Sequence, residues 1–335
     1  MSQADGVTIT VLVENWVDML LPDQASPLAS DSADADHCVT RYGLIEHFEH
    51  RLLPPQAENG ISMLVEVHQG RHTRRILFDV GLTGTVLQHN LGVFRIDPRT
   101  VDHVVISHGH PDHFGGIHGL LDLVDHPLPV ATHADAFLPR YAVMGDGRSS
   151  AVYNARFMPE HLERSGATPV LTAAPLDLGM GAYTTGQIPR ETAFEAPTPD
   201  VVLGAPGLYQ VDHDGAWRRD DVLDEMGLVV DVKGVGLVVL TGCAHAGVIN
   251  TLRQARRVCG DKPIRAVMGG FHLGFPTTPA ENVELTTQAL AELEVATVMP
   301  MHCSGLRAHT AISGDLPTHY VQPSVGTVLR FGSTP

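Results

Sequence analysis

The chain has 335 residues, 43% of them hydrophobic and only 18% charged, which excludes a disordered chain and leaves enough apolar surface for a substantial core. The formal net charge of −16 disfavours nucleic acid and anionic lipid as partners and leaves a small molecule as the expected one. No apolar run reaches the ~20 residues of a membrane span. Met1 to Gly6 is polar, without a basic-then-apolar leader pattern. The four cysteines form no CxxC pair, so a reduced, cytoplasmic protein without disulfides is expected.

Val7 to Val13 alternates and is rich in β-branched residues, which predicts a first strand. Leu21 to Asp36 is polar, and its Ala29–Asp36 part reads as a mobile acidic loop. Ser62 to His68 and Arg75 to Val80 predict two strands, with a short helix after Gly81 through Val86 and Leu87. Asp102 to Ser107 is a compact apolar strand. Ile117, Leu120, Leu121 and Val124 fall at helical spacing. Residues 140–225 are rich in Pro and Gly with weak periodicity, and read as a loop-rich insertion with a few strands. A second insertion spans residues 21–60. Leu228 to Val232 and Gly236 to Thr241 predict a hairpin across Lys233-Gly234. Val248, Ile249, Leu252 and Ala255 mark a helix, Ile264 to Met268 a strand, Val283 to Leu293 a helix, and Ala296 to Met299 a last strand. Alternating strands and helices predict one layered α/β domain over residues 1–335.

The chemistry concentrates in Ser107-His108-Gly109-His110-Pro111-Asp112-His113-Phe114-Gly115-Gly116. Three His and one Asp fall within six residues, directly after a buried strand. A kink at Gly109 and Pro111 can turn His108 and His110 towards one ion, and Asp112 and His113 towards a second. Imidazole and carboxylate suit Zn, Fe or Mn. No Ser/His/Asp or Cys nucleophile constellation and no glycine-rich phosphate loop stands out.

His-x-His-x-Asp-His after an apolar strand resembles the signature of the metallo-β-lactamase superfamily. Leu77-Phe78-Asp79-Val80-Gly81 resembles the strand and turn that precede it. Val13-Glu14-Asn15, Gly186 to Arg190, Thr241 to His245, Gly269 to Leu273 and Pro300 to Gly305 resemble the branch of 7,8-dihydropterin-6-methyl-4-(β-D-ribofuranosyl)aminobenzene-5′-phosphate synthases. The resemblance implies a four-layer αββα sandwich carrying two divalent metal ions, zinc foremost and Mn or Fe as alternatives. His108, His110, Asp112, His113 and His302 carry over as ligands. The loop Gly186 to Phe194 contains no His. On the resemblance, His245 is the favoured middle ligand, with Cys243, which sits where the family's Asp or Cys would fall, as the alternative. His103, His118, His126, His133, His161, His213, His309 and His319 are read as non-ligands.

Asp79 is expected to accept from a metal-binding His. Asp112 and His245 are the expected catalytic groups, acting with a metal-bridging hydroxide. Arg190, His272, Ser304 and Gly305 are the expected contacts to an anionic substrate. The expected activity is hydrolysis of a small phosphorylated or cyclic-ester compound. Two rival readings are a dihydropterin-ribofuranosylaminobenzene-phosphate synthase-like enzyme forming a C–N bond and a non-catalytic metal sensor. A homodimer is the expected assembly.

Overall fold

In the computed structural model, residues 2–25, 38–50, 53–151, 157–195 and 206–334 are described. The acidic stretch Ala29–Asp36 lies outside them. Two mixed sheets form the centre. The first has nine strands, in spatial order Ala167–Leu171, Leu128–Thr132, His103–Val105, His72–Phe78, Ser62–Gln69, Gly6–Val13, Val328–Gly332, Cys38–Thr40 and Gln24–Ala25. The second has six, in the order Asp177–Gly179, Ala182–Thr184, Leu228–Val232, Gly236–Thr241, Ile264–Gly270 and Thr297–Met301.

Alternation along the strands decides which side chains face where. Val7, Ile9 and Val11 pack with Val230, Val238 and Met268 in one buried cluster between the two sheets. The intervening Leu12, Leu64 and Leu77 face the other way and join Leu87, Leu91, Ile117 and Leu120 of the helices Gly84–Val93 and Ile117–Leu121. Val229, Leu237 and Val239 do the same on the second sheet, against Ile249, Leu252, Val283 and Ile312 of Val248–Cys259, Ala280–Glu292 and Gly305–Asp315. Helices therefore cover both outer faces of two stacked sheets, and the fold is the αββα sandwich. Full burial of all six residues of Gly236–Thr241 explains why that strand reads as a continuous apolar run.

Residues 140–225 hold more regular structure than their periodicity signals. Ala167–Leu171, Asp177–Gly179 and Ala182–Thr184 belong to the two main sheets. Arg140–Val143, Ser149–Ala151, Gly207–Val211 and Trp217–Arg219 form a separate four-stranded sheet. Each strand has only three to five residues, too few to show a period between Pro and Gly. Among the described residues no helix is long and apolar enough to cross a membrane.

Candidate metal centre

The parallel strands of both sheets end at the same edge, where open α/β sheets collect their ligands. His108 follows His103–Val105, Cys243 and His245 follow Gly236–Thr241, His272 follows Ile264–Gly270, and His302 and Cys303 follow Thr297–Met301. Asp79 follows His72–Phe78, and Glu14 follows Gly6–Val13.

The turn from His108 to His113 is shaped locally. Pro111 opens the short helix Pro111–Phe114 with His110 at its N-cap. A Cβ on Gly109 would stand 2.0 Å from the carbonyl oxygen of Ala136, so only glycine passes there. The Gly109 amide donates to Asp224 Oδ2 at 2.7 Å. Asp224 Oδ1 and Asp220 Oδ2 accept from the buried Arg140 guanidinium at 2.6 and 2.8 Å. Burial pushes the Asp220 carboxyl up, but His110 and Arg140 outweigh it and hold it at about 2.

Four of the imidazoles are held at one ring nitrogen, leaving the other for the interior, and for His108 it is Nδ1, 2.9 Å from the Ser107 hydroxyl. His113 Nδ1 lies 2.7 Å from Asp79 Oδ2. That carboxylate also accepts from the amide and hydroxyl of Ser107 at 2.7 and 2.8 Å. His302 Nδ1 lies 3.2 Å from Asn15 Oδ1, and His110 Nε2 lies 3.2 Å from Asp220 Oδ2. The freed nitrogens converge. His108 Nε2 and His110 Nδ1 are 3.0 Å apart, and His302 Nε2 is 3.0 Å from Asp112 Oδ2. His113 Nε2 is 3.1 Å from Cys243 Sγ.

Two donor groups result, His108–Cys243–His245 and His113–Cys243–His302, each with its ligand atoms within 4.8 Å of one another. Cys243 is common to both, so the structure brings His245 and Cys243 into the same site. His110 and Asp112 adjoin these groups through His108 and His302.

Burial pushes the His113 imidazole down, and the Asp79 and Asp112 carboxylates outweigh it, raising it to about 9. Burial pushes Asp112 up, and His113 and His302 hold it well below the usual carboxylate range. Burial and neighbouring imidazoles hold His108 and His245 well below the ordinary histidine value. His245 Nε2 is buried without a hydrogen-bond partner among the described residues. Buried polar atoms are normally paired. The neutral imidazoles of His108 and His245, a thiol and an ionised carboxylate, with an orphaned ring nitrogen among them, are donors that suit a divalent cation, so these residues fit one.

Backbone strain gathers here as well. Asp79, Ala244, His272 and His302 have φ of 55°, 55°, 53° and 47°. The left-handed region costs a non-glycine residue about 1–3 kcal/mol and concentrates at functional sites.

The remaining expected residues lie around this core. His272 packs tilted between His245 and Phe275, with ring centroids 4.1 and 4.3 Å away. The Ser304 hydroxyl is buried and accepts from the Phe271 amide at 3.0 Å. Gly305, at φ 67°, opens the following helix and packs closely on Gly274. Arg190 donates through Nη2 to the carbonyls of Asp221 and Val222. A cavity of about 280 Å³ borders the site, lined by His245, His272, Phe271, Phe275, Phe194 and Arg219 among others. A larger one of about 570 Å³ lies on the outer face of the nine-stranded sheet, between Arg41, Arg75 and Phe94, and touches none of the donors.

Sequence reasoning missed Arg140, Asp220 and Asp224: Arg140 opens a four-residue strand, and the two acids lie in a loop 80 and 84 residues further along the chain. It also gave no role to Glu14, whose buried carboxylate accepts the His302 amide at 3.0 and 3.1 Å. Burial lifts that carboxyl to about 7 despite His302. The motif Val13-Glu14-Asn15 was the available signal.

Residues 58–302 match the family model described as the metallo-beta-lactamase superfamily. A relative from Methanocaldococcus jannaschii, named 7,8-dihydropterin-6-methyl-4-(beta-D-ribofuranosyl)-aminobenzene-5′-phosphate synthase, is 28% identical over 87% of this chain and 96% of its own. An uncharacterised protein of the same organism is 30% identical over 82% of this chain and 93% of its own. Among solved structures, that of Tm1679, described as a metal-dependent hydrolase of the beta-lactamase superfamily, superposes with a TM-score of 0.69 at 24% identity, covering 98% of this chain and all of that one.

Proposed function

The chain belongs to the metallo-β-lactamase superfamily, and on that premise we propose that it is a metal-dependent hydrolase of a small phosphorylated or cyclic-ester substrate. The observation that carries this reading is the position of Cys243, whose Sγ is common to two groups of buried or half-buried imidazoles. His108, His110 and His245 are assigned to one cation. Asp112, His113 and His302 are assigned to a second, and Cys243 is shared between the two. Zinc suits this mixture of imidazole, thiolate and carboxylate best.

Divalent cations in such a donor set supply Lewis acidity and a lowered pKa for bound water. The chain supplies the rest. Asp79, Asn15 and Asp220 hold the rings of His113, His302 and His110 through their far nitrogens, which fixes the orientation of the rings and turns the near nitrogens towards the site. Asp112 is ionised at neutral pH and partly exposed, so it can orient a water and accept its proton. Arg219 is the guanidinium that lines the adjoining cavity and suits an anionic group of the substrate, while Phe271 and Phe275 provide apolar walls. Arg190 lies outside that lining, and its assigned part is to brace the segment at Asp221 and Val222.

A second reading is supported by the M. jannaschii relative, whose name is that of a synthase. The three phenylalanines at the cavity suit a planar ring, so a C–N bond-forming reaction on a ring-bearing substrate is the alternative. The test is hydrolysis of bis(p-nitrophenyl) phosphate and of a simple lactone by the full chain, before and after removal of metal by a chelator. Turnover that disappears with the metal and returns on adding zinc supports the hydrolase. Metal-replete protein inert towards both substrates speaks for the synthase or for a metal sensor.

A further inference from the structure

Cys303 directly follows His302, and its thiol donates to the carbonyl oxygen of Cys243 at 3.4 Å. The sulfurs of Cys243 and Cys303 and a ring nitrogen of His272 lie within 4.8 Å of one another. This group shares only Cys243 with the two described above. The chain makes room for it. A Cβ on Gly270 would stand 2.6 Å from Cys303 Sγ and 3.0 Å from Cys243 Cα, so a side chain there would displace the sulfur. His272 keeps a left-handed backbone at φ 53°. Its Nδ1 is enclosed without a hydrogen-bond partner among the described residues, which leaves it available to a ligand.

We propose that Cys243, Cys303 and His272 form a third cation position, richer in sulfur than the other two, which takes a borderline-soft divalent ion such as zinc. Two thiolates and one imidazole select zinc or cobalt over magnesium and calcium. Binding expels the thiol protons to solvent and involves no change of oxidation state. His272 also lines the 280 Å³ cavity, so the position borders the space assigned to substrate. The proposal rests on the metal-binding reading of the neighbouring groups, because Cys243 belongs to all three.

The test is a cobalt(II) titration of the metal-free full chain, reading bound cobalt and the near-ultraviolet thiolate-to-cobalt charge-transfer band. Wild type is expected to take about one equivalent more than Cys303→Ser, and the variant to lose about half the band, since one thiolate of two is gone. His272→Ala is expected to weaken the last equivalent by about 10-fold or more while keeping the band's position. This second variant removes a partly exposed ring, so it carries the test if Cys303→Ser does not fold by circular dichroism. Identical stoichiometry and spectrum in wild type and both variants would overturn the third position while leaving the first two intact. A wild type that binds no cobalt would overturn the third position together with the reading it rests on.

Discussion

His113 Nε2 lies 3.1 Å from Cys243 Sγ, although 130 residues of chain separate them. The pair joins the two sheets. His113 is held from behind by Asp79 at the end of one, and Cys243 follows the strand Gly236–Thr241 of the other. The two halves of the sandwich thus meet in one donor set.

Cys243→Ser is expected to keep the fold and lose metal. The side chain is small and buried, and serine nearly matches its volume. An alcohol is a far poorer ligand than a thiolate at neutral pH. Affinity for both cations should fall, by about 10- to 100-fold, with melting of the metal-free protein shifted by only a few degrees. Unaltered zinc affinity by competition with a chromophoric chelator would remove Cys243 from the site.

Asp79→Asn keeps the shape and removes the charge behind His113. The carboxylate accepts from Ser107 and meets His113 Nδ1, and an amide cannot accept through both its heavy atoms. A loss of about 10- to 100-fold in metal affinity or turnover is expected. Asp79→Ala should do worse in stability as well, because it leaves the buried Ser107 amide unpaired.

Arg140→Met leaves Asp220 and Asp224 buried without their cation. Breaking one side of a buried ion network costs about 3–5 kcal/mol. Urea unfolding should show that loss, and the turn at Gly109 and His110 should loosen with it, since Asp224 holds the Gly109 amide and Asp220 meets His110. A midpoint unchanged from wild type would contradict this account of the turn.

His309 is buried edge-on to Trp16, with Nδ1 2.9 Å from the Tyr320 hydroxyl. Burial pushes its imidazole from the ordinary 6.5 down to about 4. Between those values the unfolded chain binds a proton that the folded chain refuses. Its contribution is therefore present above pH 6.5 and lost as pH falls towards 4. The loss is roughly 2 kcal/mol after allowance for partial solvent access. His309→Phe should lose less stability than wild type on going from pH 6.5 to 4. Equal losses in the two proteins would place His309 in a solvated setting. Glu195, lifted to about 7 by burial, acts in the opposite sense in both proteins and cancels in the comparison.

The parts of the fold legible in the sequence were those whose burial is periodic or continuous. Gly6–Val13 shows its alternation, and the hairpin Leu228–Val232 to Gly236–Thr241 shows two apolar runs around Lys233-Gly234. The His108–His113 turn announces itself because its donors all fall within six residues. Asp220 and Asp224 stayed hidden. Each is one acidic residue in a loop, and its role exists only because Gly207–Val211 and Arg140–Val143 pair and bring Arg140 beside it. That Cys243 and His245 stand together beside His108 was equally invisible, because two residues on one short loop look like alternatives until their facing partners are placed.

The most direct measurement is elemental analysis of the full chain purified without a histidine tag, beside His110→Ala, with hydrolysis of bis(p-nitrophenyl) phosphate followed on the same samples. Wild type is expected to carry about two or more equivalents of zinc, manganese or iron, and the variant fewer, with turnover falling alongside. No stoichiometric metal in wild type, even after reconstitution with zinc and manganese, would contradict a metal centre at His108, His110, Asp112 and His113.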